Sequence, residues 1–350
     1  MKDDASESAE WVRLSLGESM STVTHWGVEE LADGLSDALW VTDANTDSIA
    51  GAPEGVAKVV LPVGEAAKSW PAVDRILRAA VEREIDRHGR FVGFGGGVVC
   101  DVAAFAASIY LRGVAVTLIP TSLLAMVDAA IGGKTGINFA GFKNMVGTFH
   151  AAEEVRVCEV TTHSLSEREF RSGLAEAIKA ALLDDAELLE IFESQAEAIL
   201  ARNAPVLTEV IRRSILVKAR VVESDYREGG RRAILNLGHT FAHALESVAG
   251  FGEWTHGEAV AWGIARAARL GEATGHTPAQ HAERIIALLT RYGYRIEPAV
   301  ADPHALLEAM RHDKKRAEGA IRFVIPCGVG ETVVEPVDEV TVLQGLVHPG

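Results

Sequence analysis

The chain has 350 residues, 48% of them hydrophobic, and a mean hydropathy of +0.13, enough for a large core and two domains. Its formal charge of −15 argues against a nucleic-acid partner, because phosphate backbones reward net basic surfaces, but it leaves room for a local cationic cleft that takes a small anion. Three cysteines (Cys100, Cys158, Cys327) without paired spacing argue against a disulfide scaffold and fit a reducing cytoplasm. The acidic start Met1-Lys2-Asp3-Asp4 lacks the basic-then-apolar pattern of a signal peptide, and the uncharged run 113–127 is too short to span a bilayer.

Residues 1–20 are polar without a strong period and read as a loose arm or edge strand. Strands are expected at 38–42, followed by a turn at Asp43-Ala44-Asn45, and at 57–62. Apolar residues at helical spacing (Val73, Ile76, Leu77, Ala80, Val81) predict a helix over 70–87. A buried strand at 90–94, a helix at 98–110 and a strand at 114–119 follow. Strands alternating with helices predict a Rossmann-like parallel sheet with crossover helices, an α/β domain over 1–160. Beyond about Ser166 helical periods dominate, at 167–183, 185–202, 205–225, 237–248, 257–275, 278–292 and 303–312. Two strand-like runs, 320–325 and 332–335, close a mainly α-helical second domain over 161–350.

Gly93-Phe94-Gly95-Gly96-Gly97-Val98 follows a strand and opens a helix. Glycines there let backbone N–H groups approach a pyrophosphate at a helix N-terminus. The run departs from the dinucleotide fingerprint, since Val98 stands where the third glycine belongs, and Asp101 also suits a helix start. Gly132-Gly133-Lys134-Thr135 looks like the end of a triphosphate-binding loop, but Asp128 occupies the position of the required first glycine. The segment also follows a helix-like run, 122–130, rather than a strand. A nucleotide triphosphatase is therefore disfavoured, and Lys134 is left as a phosphate ligand in a flexible Gly-rich loop.

His239 and His243 lie four apart on one helix face, Glu176 sits in Gly173-Leu174-Ala175-Glu176, and His256 follows Trp254-Thr255. A carboxylate with two imidazoles and an open position is a catalytic zinc pattern. Spacing alone leaves His239 paired with either His243 or His256. No HExxH run is present, which disfavours a thermolysin-like protease. Lys179, three residues after Glu176, shares its face amid Leu174, Ala175, Ile178 and Ala180, which argues for burial. Lys134, Lys143, Lys218, Arg232 and Lys314 form a candidate set for a doubly anionic substrate. His25, His88 and His276 read as surface histidines.

Together these segments resemble the sugar phosphate cyclase family, its 3-dehydroquinate synthase branch most closely. The resemblance is carried in order by Gly95–Asp101, Tyr110–Gly113, Asp128–Asn138, Lys143–Gly147, Ser172–Lys179, Leu235–Glu246, His256–Val260 and Asp313–Lys315. It implies an NAD-binding N-terminal domain, a helical C-terminal domain that binds metal and substrate, and an active site in the cleft between them. By that likeness Glu176, His239 and His256 hold Zn2+ or Co2+, leaving His243 to the substrate. Asp43, Glu65, Lys68, Gly96, Gly97, Val98, Asp101, Thr121, Ser122 and Lys143 would line the NAD site. Lys134, Asn144, His243, Lys314 and Arg112 would hold the phosphate, with Arg112 supplied by a neighbouring subunit of a homodimer. Lys218, Arg232 and Asn236 would meet the carboxylate and ring hydroxyls, beside Asp128 and Lys179.

The implied reaction converts 3-deoxy-D-arabino-heptulosonate 7-phosphate to 3-dehydroquinate and phosphate, in the shikimate pathway towards aromatic amino acids. NAD is consumed and regenerated within one turnover, so the chain is expected to be a cytoplasmic lyase with no net redox change. The retained Lys218, Arg232, Asn236 and His243 suit a substrate with a carboxylate, which places amino-dehydroquinate synthase as the nearest alternative and sedoheptulose 7-phosphate cyclases further off. A metal-dependent polyol dehydrogenase would have less use for the cations, and a silent binding homologue would not be expected to keep every site position. Departures from the family pattern are the segment 21–33, which lacks alternating strand character, Ser122 in place of threonine, Thr162-His163-Ser164-Leu165-Ser166, and the absence of proline in Phe149-His150-Ala151-Ala152.

Overall fold

The computed structural model describes residues 8–49, 55–250, 252–297, 302–314 and 321–347. Contacts divide the chain into two compact units, Met1–Ser166 with Lys218–Arg227, and Glu167–Val217 with Glu228–Gly350.

The first unit is built on strands β1 (Ala9–Leu16), β2 (Ser19–His25), β3 (Leu39–Asp43) and β4 (Lys58–Leu61), then helix α1 (Trp70–Glu82), β5 (Arg90–Gly95), helix α2 (Gly97–Ile109) and β6 (Ala115–Pro120). A hairpin of β7 (Lys134–Phe139) and β8 (Phe142–Phe149) precedes β9 (Glu154–Val157). Seven strands form one sheet in the order β1-β2-β9-β6-β5-β3-β4, parallel throughout except for the antiparallel β1–β2 pair. The interior strands β3, β5 and β6 are buried almost end to end, as strands covered on both faces require. Trp40 and Phe94 meet edge to face at 5.9 Å within a core that includes Leu31, Leu35, Val92 and Ile119. Trp40 satisfies its indole N–H on the Leu35 carbonyl at 3.1 Å.

Helix α1 buries Val73, Ile76 and Ala80 on one stripe, and ends at Glu82 rather than running to 87, because Arg83 leaves helical geometry and Glu84 turns left-handed (φ 52°). Two expectations on this unit are corrected. Residues 21–33 do contain a strand, β2, whose short alternating pattern is half-buried at the sheet's antiparallel end. Lys134 does not sit in a flexible loop but begins β7, which pairs with β8 along its length. The hairpin escapes periodicity because no residue of β8 is buried. His25 is also more than a surface histidine: it is half-buried, stacks on Trp11 at 5.1 Å and pairs with Glu159 at 2.8 Å.

The second unit holds helices α3 (Glu167–Asp184), α4 (Ala186–Ser194), α5 (Ala196–Leu200), most of α6 (Ala204–Ser224), α7 (His239–Ala249), α8 (His256–Thr274), α9 (Ala279–Arg291) and α10 (Pro303–Lys314). The antiparallel pair β10 (Arg322–Gly328) and β11 (Glu331–Pro336) and helix α11 (Glu339–Val347) follow. The single helix expected over 185–202 is two, broken at Gln195 (φ −120°, ψ 27°), and α11 was not expected. Helix α8 is buried along nearly its whole length, including Trp262 and the small residues Ala261, Gly263, Ala265 and Ala268. It is therefore the unit's central helix, packed against α3, α7, α9 and α11. No described helix is long and apolar enough to cross a membrane.

All three cysteines are free thiols. Burial pushes the Cys100 thiol far up and the Cys158 thiol up to about 11, while Cys327 is only partly covered. In the native protein at pH 8 a disulfide-exchange reagent should titrate Cys327 alone within minutes, and all three thiols after denaturation. Prompt reaction of a second thiol in the native state would contradict this packing.

Candidate active site

In the second unit, Glu176, His239 and His256 come together. Glu176 lies mid-way along α3, His239 is the first residue of α7, and His256 is the first residue of α8. Local chemistry starts both histidine helices at the right residue. Gly238 takes a left-handed conformation (φ 81°) that ends the preceding turn and launches α7. Thr255 caps α8 reciprocally with Glu258, the hydroxyl accepting from the Glu258 N–H and the carboxylate accepting from the Thr255 N–H.

Close backbone approach then brings the helices into register. A Cβ on Gly257 would lie 2.0 Å from the Ser172 carbonyl oxygen, and one on Gly263 would lie 2.1 Å from the Gly238 carbonyl oxygen. Both positions therefore require glycine, and the Gly257 N–H donates to Ser172 Oγ at 2.9 Å. Arg168 adds a bond to Glu258 at 2.8 Å, tying the start of α3 to the start of α8.

One ligand atom from each of the three residues lies within 4.8 Å of the others. Glu176 Oε1 is 3.7 Å from His239 Nε2 and 3.5 Å from His256 Nε2. The residues fit a divalent ion: both carboxylate oxygens of Glu176 are buried without a hydrogen-bond partner, although Lys179 Nζ makes an ion-pair contact with one of them. A carboxylate left so placed beside two imidazoles is the donor set zinc selects. His239 Nδ1 is 3.3 Å from the Leu237 carbonyl, which leaves Nε2 for the metal side.

Burial alone would raise the Glu176 carboxyl, but the Lys179 ammonium and the two imidazoles outweigh it and hold the group well below the usual carboxylate range. Burial and then the Lys179 charge push His239 down to about 3, so its ring is neutral at pH 7. His256 is also penalised by burial, yet the Glu176 and Glu246 carboxylates push it up to about 9. The sequence pattern gives Glu246 no chemical role of its own. It lies two turns after His239, and its Oε1 stands 3.8 Å from His256 Nδ1, where it orients that ring. The signal for it was helical spacing from His239, which carried no chemistry until α8 was seen beside α7.

His243 is exposed, one turn beyond His239, with the two rings 5.6 Å apart. Arg232 is buried in the 3-10 turn Arg231–Asn236, whose last residue, Asn236, is exposed. Lys314 closes α10, and its side chain lies outside the described residues, as does residue 315.

In the first unit, the strand order reverses between β3 and β5, since β4 lies outside β3 and β5 on its other side. Ligands of open parallel sheets bind beyond the carboxyl ends of strands at such a reversal. Gly95, Gly96 and Gly97 stand there. A Cβ on Gly95 would lie 2.7 Å from the Val99 side chain, and the N-terminus of α2 has no side-chain cap, which leaves its N–H groups to an anion. Around this turn, Thr121 N–H donates to the Gly95 carbonyl at 2.9 Å, and Ser122 Oγ would meet a Cβ on Gly96 at 3.5 Å. At the end of β3, Asp43 Oδ1 accepts from the N–H groups of Asn45 and Thr46, both at 2.9 Å.

Asp101, on the second turn of α2, does more than favour a helix start. Its Oδ2 pairs with buried Lys68 Nζ at 2.6 Å, and the same Nζ donates to Asn144 Oδ1 at 2.5 Å. Glu65 Oε1 accepts from Asn138 Nδ2 at 2.8 Å. Separately, Lys218 Nζ, contributed to this unit by the end of α6, donates to the carbonyl oxygen and Oδ1 of Asp128 at 2.6 and 2.5 Å. Asp128 lies in a π-helical turn, Ala125–Ala129, a distortion that recurs at functional sites. Lys134 and Lys143 are exposed on the hairpin, and Arg112 is exposed in a left-handed conformation (φ 71°) after Leu111 (φ 48°).

Residues 58–172 match the family described as 3-dehydroquinate synthase N-terminal, and residues 173–316 match 3-dehydroquinate synthase C-terminal. The chain is 40% identical over 314 residues to the 3-dehydroquinate synthase of Solibacter usitatus, covering 87% of this chain and 88% of that one. It is 42% identical over 279 residues to the 3-dehydroquinate synthase of Prochlorococcus marinus strain MIT 9313, covering 79% and 75%. Among solved structures, the 2-epi-5-epi-valiolone synthase of Streptomyces hygroscopicus subsp. jinggangensis, with NAD+ and Zn2+ bound, superposes with a TM-score of 0.85 at 27% identity, covering 95% of this chain and 97% of that one. By its sequence along both family segments and by the fold that carries them, this chain belongs to the 3-dehydroquinate synthase family.

Proposed function

We propose that the protein is a 3-dehydroquinate synthase, converting 3-deoxy-D-arabino-heptulosonate 7-phosphate to 3-dehydroquinate and phosphate, with NAD and a divalent metal as resident cofactors. The observation that carries this reading is the buried, hydrogen-bond-orphaned Glu176 carboxylate with two imidazoles 3.5 and 3.7 Å from it, in a chain 40% identical to a curated member of that name. The identity to the valiolone synthase, 27%, is lower than the 40% to the 3-dehydroquinate synthase, which favours the latter activity over the former.

Glu176, His239 and His256 hold the metal, which when bound supplies Lewis-acid polarisation of an oxygen on the substrate. Asp43, Glu65, Lys68, Gly96, Gly97, Val98, Asp101, Thr121, Ser122 and Lys143 hold NAD, which when bound supplies a reversible hydride acceptor. Lys134, Asn144, His243, Lys314 and Arg112 hold the phosphate by charge and hydrogen bonding, so that it leaves as a neutralised dianion. Lys218 and Arg232 meet the carboxylate, with Asn236 on a ring hydroxyl. Asp128 holds and aims the Lys218 ammonium, and Lys179 keeps Glu176 ionised. The protein works as a homodimer in the cytoplasm, and Arg112 serves the neighbouring subunit's phosphate. Its exposure and strained backbone, beside half-exposed Leu111, support that role.

Purified protein with zinc or cobalt and catalytic NAD should release stoichiometric phosphate from the heptulosonate phosphate. The product should have the mass of 3-dehydroquinate, with no net NADH. No turnover in protein shown to hold metal and NAD would sink the reading, and sedoheptulose 7-phosphate and the amino analogue would be tried next.

A further inference from the structure

Asn138 joins two halves of the first unit's site. It sits near the end of β7 where the register with β8 shifts, between the ladder pairs of Ile137 and Phe139. Three bonds converge on it. Its N–H donates to the Lys68 carbonyl at 2.9 Å, its Oδ1 accepts from the Asn144 N–H at 2.9 Å, and its Nδ2 donates to Glu65 Oε1 at 2.8 Å. Asn144 itself takes a left-handed conformation (φ 52°), which asparagine tolerates better than other residues with a side chain. Its side-chain oxygen accepts from Lys68 Nζ, so Asn138, Asn144 and Lys68 close a ring that extends to Asp101.

We propose that Asn138 is a positioning residue that fixes Asn144 as a phosphate ligand and couples it to the cofactor-side carboxylate Glu65. The chemistry asks for a primary amide. One face of the side chain must accept from an N–H while the other donates to a carboxylate, and no other side chain of that length does both. The role rests on the proposed assignment of Asn144 to phosphate and Glu65 to NAD.

The test uses full-length metal- and NAD-loaded protein and reads the affinity for inorganic phosphate by calorimetry. Melting temperature and metal content are measured alongside. Asn138→Asp keeps the acceptor for Asn144 but removes the donor and sets two carboxylates against each other. It should weaken phosphate about tenfold, about the effect of one lost charge-assisted hydrogen bond. Adding Glu65→Gln to that variant restores a donor–acceptor pair and, measured at saturating NAD with occupancy verified, should return phosphate affinity to within about threefold of native, a rescue a merely structural role would not give. If Asn138→Asp fails to fold, the double variant still decides. Native-like phosphate affinity in it supports the coupling, and the same loss in a folded double variant overturns it. Unchanged phosphate affinity in a folded Asn138→Asp also overturns it. A native protein that neither binds phosphate nor turns over the sugar phosphate would instead overturn the functional reading beneath.

Discussion

Protein carrying Glu176→Gln should be purified with little bound metal and should release phosphate about 10³-fold or more slower than native, beyond the ~10- to 100-fold that loss of an outer-shell partner costs. The substitution keeps the shape of the side chain and removes its charge. Glu176 is 2% exposed, so little water can take its place beside the imidazoles. It also leaves Lys179, 3% exposed, without its counter-charge, a loss worth about 3–5 kcal/mol for a buried pair, so the melting temperature should fall as well. Elemental analysis, a melting curve and the phosphate assay separate the effects. The companion substitutions sharpen the test: His239→Ala and His256→Ala should lose metal as Glu176→Gln does, whereas His243→Ala should keep it. Native metal content in Glu176→Gln, or metal loss in His243→Ala alone, would overturn the assigned set.

Gly257→Ala should be nearly as damaging without touching a ligand. The added methyl would meet the Ser172 carbonyl oxygen at 2.0 Å and the Ser172 Cα at 2.4 Å. Those are backbone atoms of α3 that no rotamer change can move aside. Separating α3 from α8 should cost about 3 kcal/mol, at the upper end of ordinary overpacking, and should pull Glu176 away from His256, weakening metal binding. Gly345→Ala, inside α11, is the control, because a Cβ there meets Leu270 only at an ordinary 3.6 Å; its effect should stay within about 1 kcal/mol. Calorimetric melting with and without zinc distinguishes the two. If Gly257→Ala melts as the native chain does and binds zinc equally well, close packing of α3 on α8 does not set the metal geometry.

Much of the architecture was legible along the chain because its signals are local. The buried strands β3, β5 and β6 are nearly continuous apolar runs, and α1, α3, α8 and α9 show their periods within a few turns. The hairpin β7–β8 was not legible, because β8 has no buried face to imprint a period of two. Nor was the break at Gln195, where a non-helical residue interrupts two apolar helices without glycine or proline to mark it. That Lys218–Arg227 belongs with the first unit follows from where α6 leads, which its own helical pattern cannot express.

The sites divide in the same way. Residue types and order sufficed for the family likeness, for the glycine turn at the end of β5 and for the chemical kinds of ligand at hand. By themselves they left His239 with two possible partners, since helical spacing brings His243 to the same face with no help from the rest of the chain. Only the packed structure shows Gly257 and Gly263 letting α3, α7 and α8 close to backbone distance, so that His256 Nε2 rather than His243 comes within 3.5 Å of Glu176. The same holds for Glu246 behind His256, and for Asn138 between Glu65 and Asn144. A sequence pattern reports which face of its own element a residue occupies. Which residue of another element stands opposite depends on backbone approach and on local turns such as the left-handed one at Asn144, and these exist only once the chain has packed.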